Sequence, residues 1–209
     1  MLHSKFEVND LISNKRYTSK SRLKLAKCHQ DILNFDLQEG KEFNGIMKFL
    51  VEETGGNIHD NGTIEITSNS INADNHPKNL VDYSNNNFYY SKDNGNAIIC
   101  FDFKEKSVQL SSYTIQSYDL NANWGHLKNW VIEQSNDAKN WTEIDSHQDD
   151  PTLNGPSIVA SFEIPEKENL QYSRFIRIRQ TGNSWFFTGS HNSIYFPYIE
   201  FYGKLKLSS

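Results

Sequence analysis

From Gly62 onward the apolar residues recur with a period of two. In Thr63-Ile64-Glu65-Ile66-Thr67 the isoleucines share one side and the polar residues the other, as in a half-buried strand. The same alternation, or an apolar run of strand length, marks Ala97 to Lys104, Leu110 to Tyr118, Lys128 to Gln134, Trp141 to Ser146, Ile158 to Ile164, Arg174 to Gln180 and Ile194 to Tyr202. Residues suited to tight turns divide these runs: Asn94-Gly95-Asn96, Ser135-Asn136-Asp137, Asp150-Pro151 and Asn154-Gly155-Pro156. Roughly eight strands with no long helix between them predict an all-β fold, an antiparallel jelly-roll β-sandwich.

Before Gly62 the pattern changes. Seven Lys or Arg lie between Lys5 and Lys27 against two acids, Glu7 and Asp10, while Leu23, Ala26, Ile32 and Leu33 fit one stripe of a short helix. Residues 1–44 are therefore set apart as a basic, partly helical lead segment. The sandwich domain is expected over 45–207, with its core over 60–205. Phe43 to Val51 is an apolar run closed by Glu52-Glu53-Thr54-Gly55-Gly56, which predicts a short helix or turn plugging the sandwich end.

Composition narrows the function classes. A chain of 209 residues can bury a full core, and aromatics make up 13% of it, so strands rather than disorder fit its modest 36% hydrophobic content. A net charge of -5 argues against a nucleic-acid partner, which needs basic residues gathered on one face, and works against anionic membranes. No apolar run approaches the roughly 20 residues of a membrane span, and Met1 to Asp10 lacks the apolar core of a signal peptide, so a cytoplasmic location is expected. The two cysteines, Cys28 and Cys100, form no disulfide framework, and Cys100 reads as a small buried hydrophobe. The acceptor sequences Asn61-Gly62-Thr63 and Asn140-Trp141-Thr142 read as turns.

Catalytic signatures are missing. There is no G-x-S-x-G, H-E-x-x-H, Walker loop or C-x-x-C; the histidines are scattered, and Asp149-Asp150 has no partner in sequence. The expectation is a non-enzyme. Binding has a stronger signal, because two connecting segments carry bulky rings among amides: Asn121-Ala122-Asn123-Trp124-Gly125-His126, and Asn183 to His191 with Trp185-Phe186-Phe187. A sugar offers C–H groups to an aromatic face and hydroxyls to amides or imidazoles, so Asn123, Trp124, His126, Trp185, Phe186, Phe187 and His191 are the candidate ligand-binding residues. A protein surface would suit the same residues. Structural roles compete: Trp185 and Phe186 as caps of the core, His126 as a structural hydrogen-bonding group. Trp130 and Trp141 are expected in the core, and Arg177 and Arg179, alternating with Ile176 and Ile178, on a polar or paired sheet face.

Four ordered motifs carry a family resemblance over about residues 60 to 205. Trp130-Val131-Ile132-Glu133-Gln134-Ser135-Asn136-Asp137 followed by Trp141 resembles the discoidin signature of a strand tryptophan, a Ser-x-Asp turn and a second tryptophan. Arg174 to Ile178 and Ile199 to Gly203 resemble that family's last two strands, Cys100-Phe101-Asp102-Phe103 its x-Asp-Phe strand, and Asn79-Leu80-Val81-Asp82 its opening loop. The resemblance to discoidin, or coagulation-factor type C, domains implies a galactose-binding-like sandwich whose loops, including Asn85 to Asn96, meet at one end. The paired cysteines of many secreted members are missing, and His126 to Trp130 with Trp141 to His147 is similar to intracellular domains beside BTB or ubiquitin-ligase modules. The first 44 residues are too few for a BTB fold. The resemblance thus implies a carbohydrate or a protein partner, the latter as the substrate-recognising or scaffolding part of a cytosolic ubiquitin-ligase adaptor. Peripheral membrane binding is the weaker alternative, suggested by Trp185-Phe186-Phe187. Sugar-binding relatives place a structural calcium on residues matching Asp82 and Glu200, yet Tyr83-Ser84-Asn85 and Asn87 replace the expected further ligands. No cofactor is expected, with calcium at Asp82 and Glu200 the one metal the resemblance keeps open.

Overall fold

The computed structural model describes residues 32–83, 87–93, 95–165, 171–186 and 192–207. The antiparallel sandwich predicted from the alternation is what forms. One sheet has four strands, in the order β1 (Ile32–Phe35), β13 (Tyr198–Lys206), β5 (Ser107–Gln116) and β9 (Val159–Glu163). The other has five: β2 (Glu65–Ser68), β4 (Ile98–Asp102), β10 (Phe175–Gln180), β7 (Trp130–Ser135) and β8 (Thr142–His147). Two short ribbons complete the fold, β6 (Trp124–His126) with β11 (Trp185–Phe186), and β3 (Tyr89–Tyr90) with β12 (Tyr195–Phe196).

Every predicted strand is present, one of them in two pieces. Ile194 to Tyr202 is divided at Pro197, whose missing N–H cannot join a ladder, into β12 and β13. Ile32–Phe35 is a strand rather than the end of a helical stripe. Its alternation places Leu33 and Phe35 inward, and it pairs along its length with the end of β13. The sandwich thus takes in part of the segment set apart as a lead; Leu23, Ala26 and Cys28 lie outside the described residues.

Inward residues of the two sheets interlock. Ile66, Ile99, Phe101, Trp130, Ile132, Ile176 and Ile178 from one meet Tyr113, Ile115, Phe162, Ile199 and Phe201 from the other, all buried. Phe101 meets Phe201 edge-on at 5.1 Å, while Tyr113 stacks on Phe162 at 5.2 Å. Between Tyr202 and Gly203 the ladder of β13 with β5 shifts register. Gly203 sits at φ 123, and a Cβ there would collide with the carbonyl oxygen of Gln109, so this bulge requires glycine.

The apolar run after Phe43 forms α1 (Ile46–Thr54), which buries Ile46, Met47, Phe49 and Leu50 and packs along β13. Gly45 offers no side-chain cap. The cap comes from the sheet: Glu200 on β13 accepts from Met47 N at 2.7 Å and Lys48 N at 3.0 Å. Two orphan donors of the first turn are thereby satisfied by a carboxylate at the positive end of the helix dipole.

Trp130 is fully buried, as expected, but Trp141 is not a core residue. It precedes β8 half-buried on the outer face of the five-stranded sheet, with the Arg177 guanidinium 3.9 Å from its ring centroid. That face is polar and paired. Glu133 accepts from Arg177 Nε at 2.7 Å and from Arg179 Nε at 2.9 Å, so the alternation of arginine with isoleucine marks a paired outer face. Cys100 is also half-buried on this side, opposite Arg177, rather than in the core. Burial pushes its thiol up to about 11, Asp102 adding to the shift, which keeps it protonated and unreactive.

Core and outer-face tryptophans should therefore differ in denaturant unfolding. Trp130→Ala is expected to lose about 3–5 kcal/mol by cavity formation, and Trp141→Ala only about 1 kcal/mol. Equal losses would contradict the burial difference.

Candidate functional site

The ends of the sandwich are distinct. Trp130 at the start of β7 pairs with Gln180 at the end of β10 and with His147 at the end of β8, so the segments before Trp130, after His147 and after Gln180 leave together. Ile32 pairs with Lys206, and Lys206 with Ser107 at the start of β5, which puts the start of β1 and the end of β13 at the other end.

At the loop end three of the expected aromatic residues, Trp124, Trp185 and Phe186, lie on one ribbon. Across the β6–β11 ribbon Phe186 pairs with Trp124 and Trp185 with His126. Trp124 is 43% exposed, and its ring meets that of half-buried Phe186 edge-on at 5.8 Å. Trp185 is half-buried, with Nε1 donating to the carbonyl of Asp150 at 2.9 Å and Lys128 Nζ 4.5 Å from its ring centroid. Its roles are anchoring and partial capping, while Trp124 is the more exposed of the two indoles. Phe187 and His191 lie outside the described residues.

Trp124 is held outward by a built support. Gly125 adopts φ 83, and a Cβ there would strike the ring of Tyr195, whose hydroxyl donates to the carbonyl of Trp124. Tyr195 in turn meets Tyr90 and Tyr118 edge-on at 5.1 and 5.9 Å. Asn123, at φ 64, exchanges two hydrogen bonds with Asn154: its backbone N–H donates at 2.7 Å, and its Oδ1 accepts at 3.2 Å. An αL residue fixed this way turns the chain sharply into Trp124.

His126 corrects the expectation of ligand contact. It is fully buried, and its Nε2 lies 3.0 Å from the carbonyls of both Leu120 and Asn121. Both partners are acceptors, so Nε2 carries the proton. Burial lowers its pKa below the usual histidine value, although these carbonyls oppose the shift; the ring is a neutral brace for the loop. Sequence reasoning missed Tyr90, Tyr118 and Tyr195, whose spacing follows no strand period because they come from three separate segments.

Calcium does not fit Glu200. Its Oε1 accepts from Met47 N and Phe201 N, and its Oε2 from Lys48 N and the Tyr83 hydroxyl. Four donors converge on a fully buried carboxylate at a helix N-terminus, so its lone pairs are committed and the local dipole repels a cation. Asp82 ends the Pro77–Val81 3-10 turn half-buried. Among the described residues no group of three His, Cys, Asp or Glu is placed to hold a metal ion.

A cavity of about 390 Å³ opens at the opposite end, beside the Ser135 to Asn140 turn. Its polar groups are largely used by the turn itself: Asp137 Oδ1 accepts from Lys139 N, Asn140 N and Ser135 Oγ, and Asn136 bonds the backbone of Tyr172 and Arg174. No ring lines it. The aromatic end is the stronger candidate.

No family model matches the chain. By sequence it is similar to parts of two ubiquitin ligases. "E3 ubiquitin-protein ligase hecd-1" of Caenorhabditis elegans is 32% identical over 98 residues, 43% of this chain, and "E3 ubiquitin-protein ligase Ufd4" of Drosophila melanogaster is 28% identical over 120 residues, 56% of this chain. In each case the match spans 4% of the ligase's length. By structure the chain is similar to carbohydrate-binding modules from Clostridium perfringens. CpGH89CBM32-5, in complex with GalNAc-beta-1,3-galactose, matches with a TM-score of 0.50 at 14% identity over 68% of this chain and 96% of its own. The family 32 module of NanJ, in complex with galactose, matches with a TM-score of 0.50 at 14% identity over 68% and 94%. At this identity the likeness establishes the shared jelly-roll sandwich.

His126 and Trp124 make opposite predictions in thermal or denaturant unfolding. His126→Ala should cost about 1–3 kcal/mol, since it removes a fully buried ring and the donor shared by the carbonyls of Leu120 and Asn121. Trp124→Ala should stay within about 0.5 kcal/mol of the parent. A large loss for Trp124→Ala would make that ring structural.

Proposed function

We propose that this chain is a non-catalytic recognition module that binds carbohydrate through the loop end bearing Trp124, Trp185 and Phe186, without a metal cofactor. The observation that carries this reading is the exposed Trp124 indole on a support of Gly125, Tyr195, Asn123, Asn154 and His126. A large ring held at 43% exposure by so many fixed contacts brings apolar surface to solvent beside amide groups, the combination that packs on a sugar ring while bonding its hydroxyls. The two Clostridium perfringens modules, both described with galactose-containing ligands on the same sandwich, support the choice of ligand class.

A second reading has its own observation. The two ubiquitin ligases match this chain over stretches of 98 and 120 residues, which supports a role as the substrate-recognising part of a cytoplasmic ubiquitin-ligase assembly, with Trp124 as an anchor for a protein partner. Peripheral membrane binding is the weakest of the three, given a net charge of -5.

A glycan array separates the readings. The parent protein is expected to bind galactose-terminated glycans saturably, and Trp124→Ala to weaken that binding about tenfold or more. A blank array beside specific capture of a ubiquitin-ligase substrate lost in Trp124→Ala would favour the second reading. Sedimentation with anionic liposomes would favour the third.

A further inference from the structure

Outside the candidate ligand contacts, His147 is held between two carboxylates. At the end of β8 its Nε2 lies 2.9 Å from Asp145 Oδ2 and its Nδ1 2.7 Å from Asp150 Oδ2. The three side chains are only 18%, 10% and 18% exposed. A neutral imidazole has a single N–H and cannot donate to both carboxylates; one ring nitrogen would turn its lone pair on a carboxylate oxygen. The geometry therefore specifies the imidazolium. Its ring stacks on Trp130 at 4.1 Å and 11°, where the indole face favours a cation, and meets Phe162 edge-on at 4.8 Å.

Asp150 joins this ion triad to the aromatic end. Its backbone carbonyl accepts from Trp185 Nε1, its N–H donates to the carbonyl of Lys128, and its Oδ1 accepts from Thr152 N. Lys128, over the Trp185 ring, is paired with Asp149 at 2.8 Å. One residue thus holds the His147 ring through its side chain and the Trp185 indole through its backbone. We infer that protonated His147 is a positioning residue for the aromatic end: it anchors the Asp150 loop against the sandwich and so fixes Trp185 and the β6–β11 ribbon. This deepens the recognition reading above and rests on it for its biological meaning.

Loss of the proton acts on Asp150 first. Asp145 lies within β8 and keeps the Tyr113 hydroxyl at 2.7 Å, whereas Asp150 lies in a loop that can move away. Among the described residues the other charged or titratable groups near the ring are Tyr113 from β5, Asp145 on β8 itself, and Asp149 and Lys128 beside Asp150, while Trp130 and Phe162 supply only aromatic faces from β7 and β9. Burial lowers the pKa of His147, but its bonds to Asp145 and Asp150 outweigh this and the net shift is upward. The anchoring is then complete below the ordinary histidine value and is lost as pH rises through the raised one. For Asp145 and Asp150 burial acts upward, yet their bonded donors bring both below the usual carboxylate value. Their contribution is present above the ordinary carboxylate value and lost as pH falls through the depressed ones, so the anchor operates between the two limits.

The test is a pH titration of the whole chain by nuclear magnetic resonance, following the His147 ring and the Trp185 indole N–H. Both signals are expected to move with one midpoint, above that of an ordinary histidine. Asp150→Asn should lower the His147 midpoint and reduce the Trp185 response to it. In parallel, retention on a galactose-coated surface is expected to weaken about fivefold across that midpoint, the low end of typical coupling between linked sites. A Trp185 signal flat through the His147 titration, or a His147 midpoint at or below the ordinary value, overturns the inference. Absence of galactose retention at every pH counts against the carbohydrate reading, while the indole signal, which needs no ligand, still decides the positioning role.

Discussion

One hydrogen-bonded relay crosses the sandwich, and the arrangement of its loop end depends on it. Trp130 Nε1 on the five-stranded sheet donates to the Tyr113 hydroxyl on the four-stranded sheet at 2.9 Å, and that hydroxyl donates back to Asp145 at 2.7 Å. Each group is buried or nearly so, and an unmade bond there leaves a desolvated donor or acceptor at a cost of about 1–3 kcal/mol. The relay therefore favours one register of the two sheets, with the Trp130 indole N–H on the Tyr113 hydroxyl and Asp145 accepting from that hydroxyl. Apolar packing supplies most of the driving force, and the relay selects which packing is adopted.

The geometry of the loop end follows from what the relay leaves in place. Asp145 holds His147, His147 holds Asp150, and the Asp150 carbonyl holds the indole of Trp185, so the ribbon carrying Trp124 is tied to the sandwich interior. On its other side the ribbon rests on Tyr195, which the glycine at 125 admits. An exposed ring on a rigid mount loses little conformational freedom on binding, which favours recognition. A comparable economy governs Glu200, whose buried carboxylate caps α1 and is consumed in doing so.

The strands were legible because their alternation reports directly which side chains face the opposite sheet, as in Thr63 to Thr67 and Arg174 to Gln180. Ile32–Phe35 was missed since four residues alternate too briefly to outweigh a helical stripe that continued from Leu23. Trp141 was misplaced because its size suggested the core, whereas Arg177 covers it from the outer face. The meeting of Trp124 with Phe186 was foreseen from loop composition, but the burial of His126 depends on carbonyls of Leu120 and Asn121 that a residue pattern does not display. Asp145, His147 and Asp150 stand close together in sequence; only the stacking of His147 on Trp130 reveals that they form one enclosed unit.

The most direct test of recognition at the aromatic end is to follow the four tryptophan indole N–H resonances while a galactose-terminated oligosaccharide is added near pH 6. If the loop end is the binding surface, the Trp124 and Trp185 signals move saturably and those of Trp130 and Trp141 stay in place. Movement of Trp141 with Trp124 and Trp185 unchanged would contradict the assignment and place binding away from the loops.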